Sequence, residues 1–265
     1  RGRRRHAQRG NRNAARIESI NWGTTENSLE DDWFDLVQGI HQFAPHIVQG
    51  VTTNGYLAQR CLAEPRFLEV FRTCISDVDV SLDFADDAAH AALRGHPDAY
   101  AWALRCLELC QSLDICSSIV ALGIEQTLEE SNLRGLFRIA GRFDSNLRIS
   151  LLRPTDDCGL KPPSYQQVKK ALLYLVSNHA VVSLGDPLFG AIFGRPCKDP
   201  SGCLSFRILP DGSVTPATYL ISGEWIAANI LTEELEVSAL VQRPSFLRLT
   251  ADQVPPACKG CVFRE

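Results

Sequence analysis

The chain has 265 residues, 45% of them hydrophobic and 22% charged, with a formal net charge of -4. This is the composition of a folded globular chain, so global disorder is excluded, and the length suits one large domain or one domain with a small appendage. No apolar run approaches the roughly 20 residues that span a bilayer, and the slight negative charge gives no general electrostatic reason to bind nucleic acid or an acidic membrane.

The first five residues are Arg1-Gly2-Arg3-Arg4-Arg5, and Arg9, Arg12 and Arg16 follow. This stretch lacks the apolar core, roughly 7–15 residues long, of a secretory signal. The chain contains no methionine. Residues 1–16 therefore read as the irregular cut end of a longer protein rather than as a transit or nucleic-acid-binding arm.

Short runs rich in β-branched residues then begin at Ile17 (IESINWG), Ile47 (IVQGVTT), Val78 (VDVSLDF), Ser118 (SIVALGI) and Leu147 (LRISLLR). A recurrence of about 30–40 residues fits a strand, a loop, a helix and a return loop. Between the runs, Trp33, Phe34, Val37, Ile40 and Phe43 form a helical stripe after a capping box at Ser28 and Asp31. Leu104, Leu107 and Cys110 form a second stripe. Leu133, Leu136, Phe137 and Ala140 form a third, behind a capping box at Thr127 and Glu130. Trp22 and Trp33 read as aromatic core. Strands alternating with helices make a parallel sheet. Five such units without a glycine-rich dinucleotide turn suggest an α/β fold that is part of a (β/α) barrel, over residues 17–155.

After Arg153 the character changes. A polar connector with Pro154, Pro162 and Pro163 leads to a helix capped by Ser164 and Gln167, with Val168, Ala171, Leu172, Leu175 and Val176 on its buried face. This connector and helix occupy 156–184. Residues 185–265 read as a small, irregular, cysteine-containing extension of two strands and a few turns, with Pro210-Asp211-Gly212 as a hairpin signal.

The ten cysteines are Cys61, Cys74, Cys106, Cys110, Cys116, Cys158, Cys197, Cys203, Cys258 and Cys261. The chain is too long for a disulfide-stapled mini-domain, and without a signal peptide a reducing, cytoplasmic compartment is expected. Clustered cysteines then suggest metal and scattered ones suggest packing. Cys61, Cys74, Cys106, Cys110, Cys116 and Cys158 are expected to pack. Cys258-x2-Cys261 is open between an iron–sulfur site, a zinc knuckle and an unmetallated thiol pair. The six histidines show no metal-ligand spacing.

In a parallel barrel, chemistry gathers where strands end and loops begin. The first run ends in Gly23-Thr24-Thr25-Glu26 and the second in Thr53-Asn54-Gly55. The third carries Ser81-Leu82-Asp83, followed by His90 and Arg94. Asp83, Asp86 and Asp87 form an acidic group that reads as a solvated loop, or else as a cation site. The order of these motifs resembles the radical S-adenosylmethionine (radical SAM) enzymes. Gly23-Thr24-Thr25-Glu26 is similar to that family's Gly-Gly-Glu-like motif, with Thr25 where glycine is usual. Thr53-Asn54-Gly55 and Ser81-x-Asp83 with His90 and Arg94 match its next strand ends. The resemblance implies a S-adenosyl-L-methionine site in which Glu26 receives the α-amino group, Ser81 and Arg94 hold the carboxylate, and Gly23 and Asn54 shape the pocket. Thr24, Thr25 and Asp83 complete the set.

The resemblance continues beyond the barrel. Cys203-x7-Asp211-Gly212, Val214-x-Pro216, Asn229-Ile230 and Cys258-x2-Cys261 look like a partial SPASM or twitch extension, although Ala217 stands where a cysteine is usual. This implies an auxiliary iron–sulfur cluster on Cys258 and Cys261, with Cys203 and Cys197 as further ligands. The family's [4Fe-4S] cluster is held by a Cys-x3-Cys-x2-Cys loop. This sequence has no cysteine before Cys61, and Leu113 breaks the spacing after Cys106-x3-Cys110. The reading is therefore a radical SAM fragment whose full protein would cleave SAM reductively and modify a peptide or protein, with a flavodoxin or ferredoxin as electron donor. The alternatives are a catalytically inactive member that binds a peptide or partner, and a zinc-dependent βα hydrolase.

Overall fold

All five β-rich runs are strands. The computed structural model describes residues 17–23, 25–153, 159–178 and 201–250. Of these, 17–178 belong to one compact unit and 201–250 to a second. In the first unit, β1 (Ser19–Trp22), β2 (Val48–Thr53), β3 (Asp77–Ser81), β4 (Cys116–Gly123) and β5 (Asn146–Leu151) pair in parallel in chain order. Each strand adds to the same edge, as barrel staves do, and the order never reverses as it does in a dinucleotide-binding sheet.

The helices are α1 (Asp31–Phe43), α2 (Tyr56–Ala63), α3 (Pro65–Cys74), α4 (Asp87–Arg94), α5 (Ala99–Ser112), α6 (Glu130–Arg142) and α7 (Tyr165–Asn178). Two crossovers hold two helices each, where the period suggested one. Pro65 forces the first break. It lacks an N–H and drives Glu64 into an extended conformation, so a new helix starts at the proline itself. Gly95 makes the second, closing α4 in the left-handed conformation at φ +70°.

Val51, Val78, Val80, Ile119, Ala121 and Leu147 lie on the helix-covered face and join one core with Phe34, Phe67 and Phe71. Phe34 and Phe67 stack with ring centroids 4.0 Å apart. Trp33 is buried in this core, with Trp22 packed against it. Side chains alternate along a strand, so Thr52, Asp79, Ser81, Ser118, Val120 and Arg148 take the other face. A sheet buried on both faces reads as continuous apolar runs. This one is polar at alternate positions, as the lining of an open barrel interior would be.

Several expectations need correction. Ser28 does not cap α1: Glu30 is its N-cap residue, without a side-chain bond, and the Ser28 hydroxyl donates to Glu26 instead. Thr127 does not cap α6 either, because its hydroxyl is bonded to the carbonyls of Leu122 and Ile124. Phe43 and Val176 are about half exposed rather than buried. Cys116 is exposed at the start of β4, whereas Cys61, Cys74, Cys106 and Cys110 pack as expected. Cys158 lies outside the described residues. The reciprocal bonds of the Ser164–Gln167 capping box are present.

The second unit has three short antiparallel strands rather than two: β6 (Arg207–Ile208), β7 (Ser213–Thr215) and β8 (Ala228–Asn229). Gly212 makes the expected turn at φ +81°, and the Asn229 amide donates to the Asp211 carbonyl at 2.9 Å. Two short helices follow, α8 (Val237–Leu240) and α9 (Pro244–Thr250). Val214, Ala228, Leu240 and Phe246 form this unit's core. No helix among the described residues is long and apolar enough to cross a membrane.

Replacing Phe34 by alanine should cost about 3–5 kcal/mol, because it removes a fully buried stacked ring. Phe43→Ala should stay within about 0.5 kcal/mol. Urea-denaturation midpoints of the two variants check the exposed end of the α1 stripe.

Candidate functional site

The sequence-derived site residues sit at the carboxyl ends of β1, β2 and β3. Glu26 follows β1, and its carboxylate is wired to β2. One oxygen accepts the Thr53 hydroxyl at 2.6 Å and the Asn54 backbone N–H at 2.8 Å. The other accepts the Ser28 hydroxyl at 2.5 Å. Thr53 also accepts the Gly55 N–H at 2.9 Å, and the Asn54 side-chain oxygen accepts the Tyr56 N–H at 2.9 Å. Gly55 stands at φ +99°, and a Cβ there would come within 2.5 Å of the backbone of Trp102 and Ala103 on α5. Only glycine satisfies both demands, so the Asn-Gly pair is a close approach between a strand end and a helix as well as a turn. Gly23 lies against the Asn21 and Thr52 side chains. Thr25 is exposed beside Asn27. Thr24 lies outside the described residues.

Asp83 is fully buried just beyond β3. One of its oxygens accepts the Leu122 N–H of β4 at 2.8 Å and the other accepts Arg94 Nε at 2.6 Å. Its backbone N–H donates to His90 Nδ1 at 3.2 Å, and its carbonyl accepts the Asn132 amide of α6 at 2.8 Å. The motif read as a strand and loop is thus a strand end plus helix α4. His90 and Arg94 are four residues apart on one helical face, so both reach the same aspartate. Asp86 caps α4 by accepting the Ala89 N–H and Asp87 lies in its first turn, so these two are exposed to solvent as expected, though at a helix start rather than in a loop, while Asp83 is buried, and the three do not form a cation site among the described residues. Asp83 stands behind Arg94, with both oxygens engaged inside the protein.

The outward groups have unspent capacity. Arg94 uses only Nε among the described residues, leaving its two terminal NH2 groups, and its side chain is 33% exposed. The Ser81 hydroxyl at the end of β3 makes no hydrogen bond among the described residues. Glu26 keeps acceptor capacity on the oxygen that Ser28 reaches. A carboxylate acceptor on one strand end and a guanidinium donor near the third suit a zwitterion carrying an ammonium and a carboxylate. These residues therefore fit the methionyl end of SAM.

They do not fit an iron–sulfur cluster. No group of three or more His, Cys, Asp or Glu side chains among the described residues is arranged to hold a metal. Burial pushes the Cys61 thiol up to about 12, and a hydrogen bond to Cys110 together with burial pushes Cys106 up as well. These are packing thiols rather than thiolate ligands. Cys203 is exposed. Cys197, Cys258 and Cys261 lie outside the described residues.

Sequence reasoning missed Ser28, Asn132 and Leu122 as parts of the site, and Thr53 as the partner of Glu26. Thr53 was signalled by its place in the Thr-Asn-Gly triplet. Asn132 had no local signal for the site, since its partners there, Ala85 and Asp83, are 47 and 49 residues away and only its bond to the Thr127 carbonyl is local.

No protein-family model matches the chain. A curated relative, the mycofactocin maturase MftC of Mycobacterium ulcerans, is 28% identical over 257 residues, 91% of this chain and 66% of the relative. The chain thus spans just under two thirds of that protein. Among solved structures, Streptococcus suis SuiB bound to S-adenosylmethionine superposes with a TM-score of 0.70 at 12% identity, covering 97% of this chain and 64% of that one. Native anSMEcpe with bound AdoMet and a peptide gives 0.68 at 18%, covering 93% and 73%. The chain is thus similar in sequence to a mycofactocin maturase and similar in fold to these two SAM-bound proteins. The fold shared with them is the parallel α/β sheet described above.

Two outcomes follow. Asp83→Asn turns an amide donor toward either Arg94 or the Leu122 N–H and removes the charge that pairs with Arg94, and should cost about 2–4 kcal/mol, less than a wholly buried pair because Arg94 is partly exposed. Chemical denaturation measures it. Burial holds the His90 pKa below its usual value of 6.5, with Asp83 and Asp87 opposing and Arg94 reinforcing the shift. The unfolded state therefore binds the extra proton first, so the His90 contribution is present above about pH 6.5 and is lost as pH falls through the lower folded value. His90→Asn keeps an acceptor for the Asp83 N–H. Its stability should fall less steeply below pH 6.5 than that of the unmodified protein.

Proposed function

We propose that this chain is the SAM-binding part of a radical SAM enzyme that modifies a peptide. The observation that carries this is the pair of charges at the strand ends. Glu26 is fixed by β2 and Arg94 is fixed by Asp83, and each retains outward hydrogen-bonding capacity. In this assignment Glu26 accepts from the SAM ammonium, while Arg94 and Ser81 donate to its carboxylate. Gly23, Thr24 and Thr25 give the backbone approach. Asn54 holds Glu26, and Asp83 holds Arg94. Because Glu26 and Arg94 are already held, little ordering cost remains when the ligand arrives.

When bound beside a reduced [4Fe-4S] cluster, SAM supplies a 5′-deoxyadenosyl radical in this family. This sequence contains no Cys-x3-Cys-x2-Cys to hold that cluster, so the chain's own part is to bind and orient. The peptide reading rests on the mycofactocin maturase relative and on the peptide-bound neighbour. It brings with it a one-electron donor of the flavodoxin or ferredoxin class and a reducing, cytoplasmic setting. We assign residues 185–265 as an extension in which Cys258 and Cys261, with Cys203 and Cys197, carry an auxiliary cluster. Iron and acid-labile sulfide in equal amounts after anaerobic reconstitution support that assignment, and zinc alone overturns it.

The central test is SAM binding by titration calorimetry with this chain. Glu26→Gln and Arg94→Met should each weaken binding about ten- to hundredfold, the equivalent of a lost charged hydrogen bond of about 1.5–3 kcal/mol. Binding equal to that of the unmodified chain in both variants contradicts the assignment. Reconstituted with iron and sulfide, the 265-residue chain should bind SAM without cleaving it.

A further inference from the structure

The open face of the sheet carries an arginine that the cofactor assignment leaves unused. Arg148 on β5 is in register with Val120 on β4, and Val120 with Ser81 on β3. Residues in register on a parallel sheet point to the same side, so all three share one face and one level. Arg148 is therefore level with the strand end where Ser81 stands, two inter-strand spacings away, about 10 Å. Asp79 is one layer deeper on the same face.

Arg148 Nη2 is ion-paired with Asp79. Asp79 is only 8% exposed, although it lies on the open face, and burial pushes its pKa up against the pull of Arg148. The arginine side chain, by contrast, remains 37% exposed. Its Nε is buried with no partner, and Nη1 makes no hydrogen bond among the described residues. The guanidinium is thus anchored through one N–H of Nη2, and because Nε is out of a ligand's reach, the fork left for a ligand is Nη1 with the second N–H of Nη2. A planar fork held in this way matches the two oxygens of a carboxylate. The adjacent Asp79 offsets its net charge, so a diffuse anion gains little and a geometrically matched acceptor gains more.

We propose that Arg148 is a substrate-recognition residue whose free fork binds a carboxylate of the peptide substrate, on the open face beside SAM, with Asp79 as the positioning residue. This rests on the peptide-modifying reading above. An acidic side chain and a free C-terminus present the same chemistry, and the experiment separates them.

The 15N-labelled chain, saturated with SAM, is titrated with three N-acetylated pentapeptides. These are penta-alanine with a free C-terminus, penta-alanine amide, and an amide with glutamate at the centre. The Arg148 Nε–H signal is identified by its loss in Arg148→Lys. At least one carboxylate peptide should shift that signal saturably and bind at least fivefold more tightly than the neutral amide. Whichever one does so names the source. Arg148→Lys and Arg148→Gln should each abolish the preference, and Asp79→Asn should weaken it at least threefold, with SAM affinity in the Arg148 variants unchanged within twofold. Equal binding of all three peptides, or an undiminished preference in a folded Arg148 variant, overturns the proposal. The two readings fail separately. Loss of SAM binding with the carboxylate preference intact removes the cofactor assignment, and the reverse result removes this one.

Discussion

A single buried carboxylate organises the open end of the sheet. Asp83 has no exposure, and a charge in that position persists only if its oxygens are satisfied. They are met by a backbone N–H of the next strand and by Arg94 of the following helix. Meeting that demand ties β3 to β4 and fixes α4 against both. The Asp83 backbone N–H separately donates to His90 Nδ1, and the terminal nitrogens of the partly exposed Arg94 stay unbonded among the described residues. Asn132 closes the same corner from α6, bonding the Asp83 carbonyl and the Ala85 N–H.

The two charges assigned to the cofactor are built in the same way. Neither is held by its own segment alone. Glu26 leaves β1 and is gripped by the end of β2, while Arg94 sits on α4 and is gripped by Asp83 beyond β3. Ties of this kind between neighbouring elements preorganise a site, because the supporting bonds exist before a ligand arrives. They also explain why the strands alternate between apolar and polar residues. The apolar set seals the helices to the sheet, and the polar set faces the space that a ligand would enter. Arg148 and Asp79 extend the same construction to the far edge.

What was legible in the sequence follows the range of each interaction. The five strands could be read because β-branched residues cluster at a regular interval, and the strand ends because their short motifs are local. His90 and Arg94 could be paired by their spacing of four. The doubled helices could not be counted from period alone, although Pro65 and Gly95 mark the breaks. The capping boxes at Ser28 and Thr127 failed for a physical reason. Each hydroxyl had a competing acceptor nearby, the Glu26 carboxylate in one case and the Leu122 and Ile124 carbonyls in the other. The bonds of Asn132 to Asp83 and Ala85 and the Asp79–Arg148 pair were invisible because they join residues 47 to 69 apart. The glycine at position 55 was visible as a turn, but its contact with the backbone of Trp102 was not.

The most direct test of the role given to Asp83 is a double-mutant cycle on SAM affinity with Asp83→Asn, Arg94→Lys and the combined variant. If Asp83 acts by holding Arg94, the two changes are coupled by about 1–3 kcal/mol and the double variant binds SAM no more weakly than Arg94→Lys alone. Strictly additive losses, with all three variants folded, would contradict the account by showing that the aspartate and the arginine act on the ligand independently.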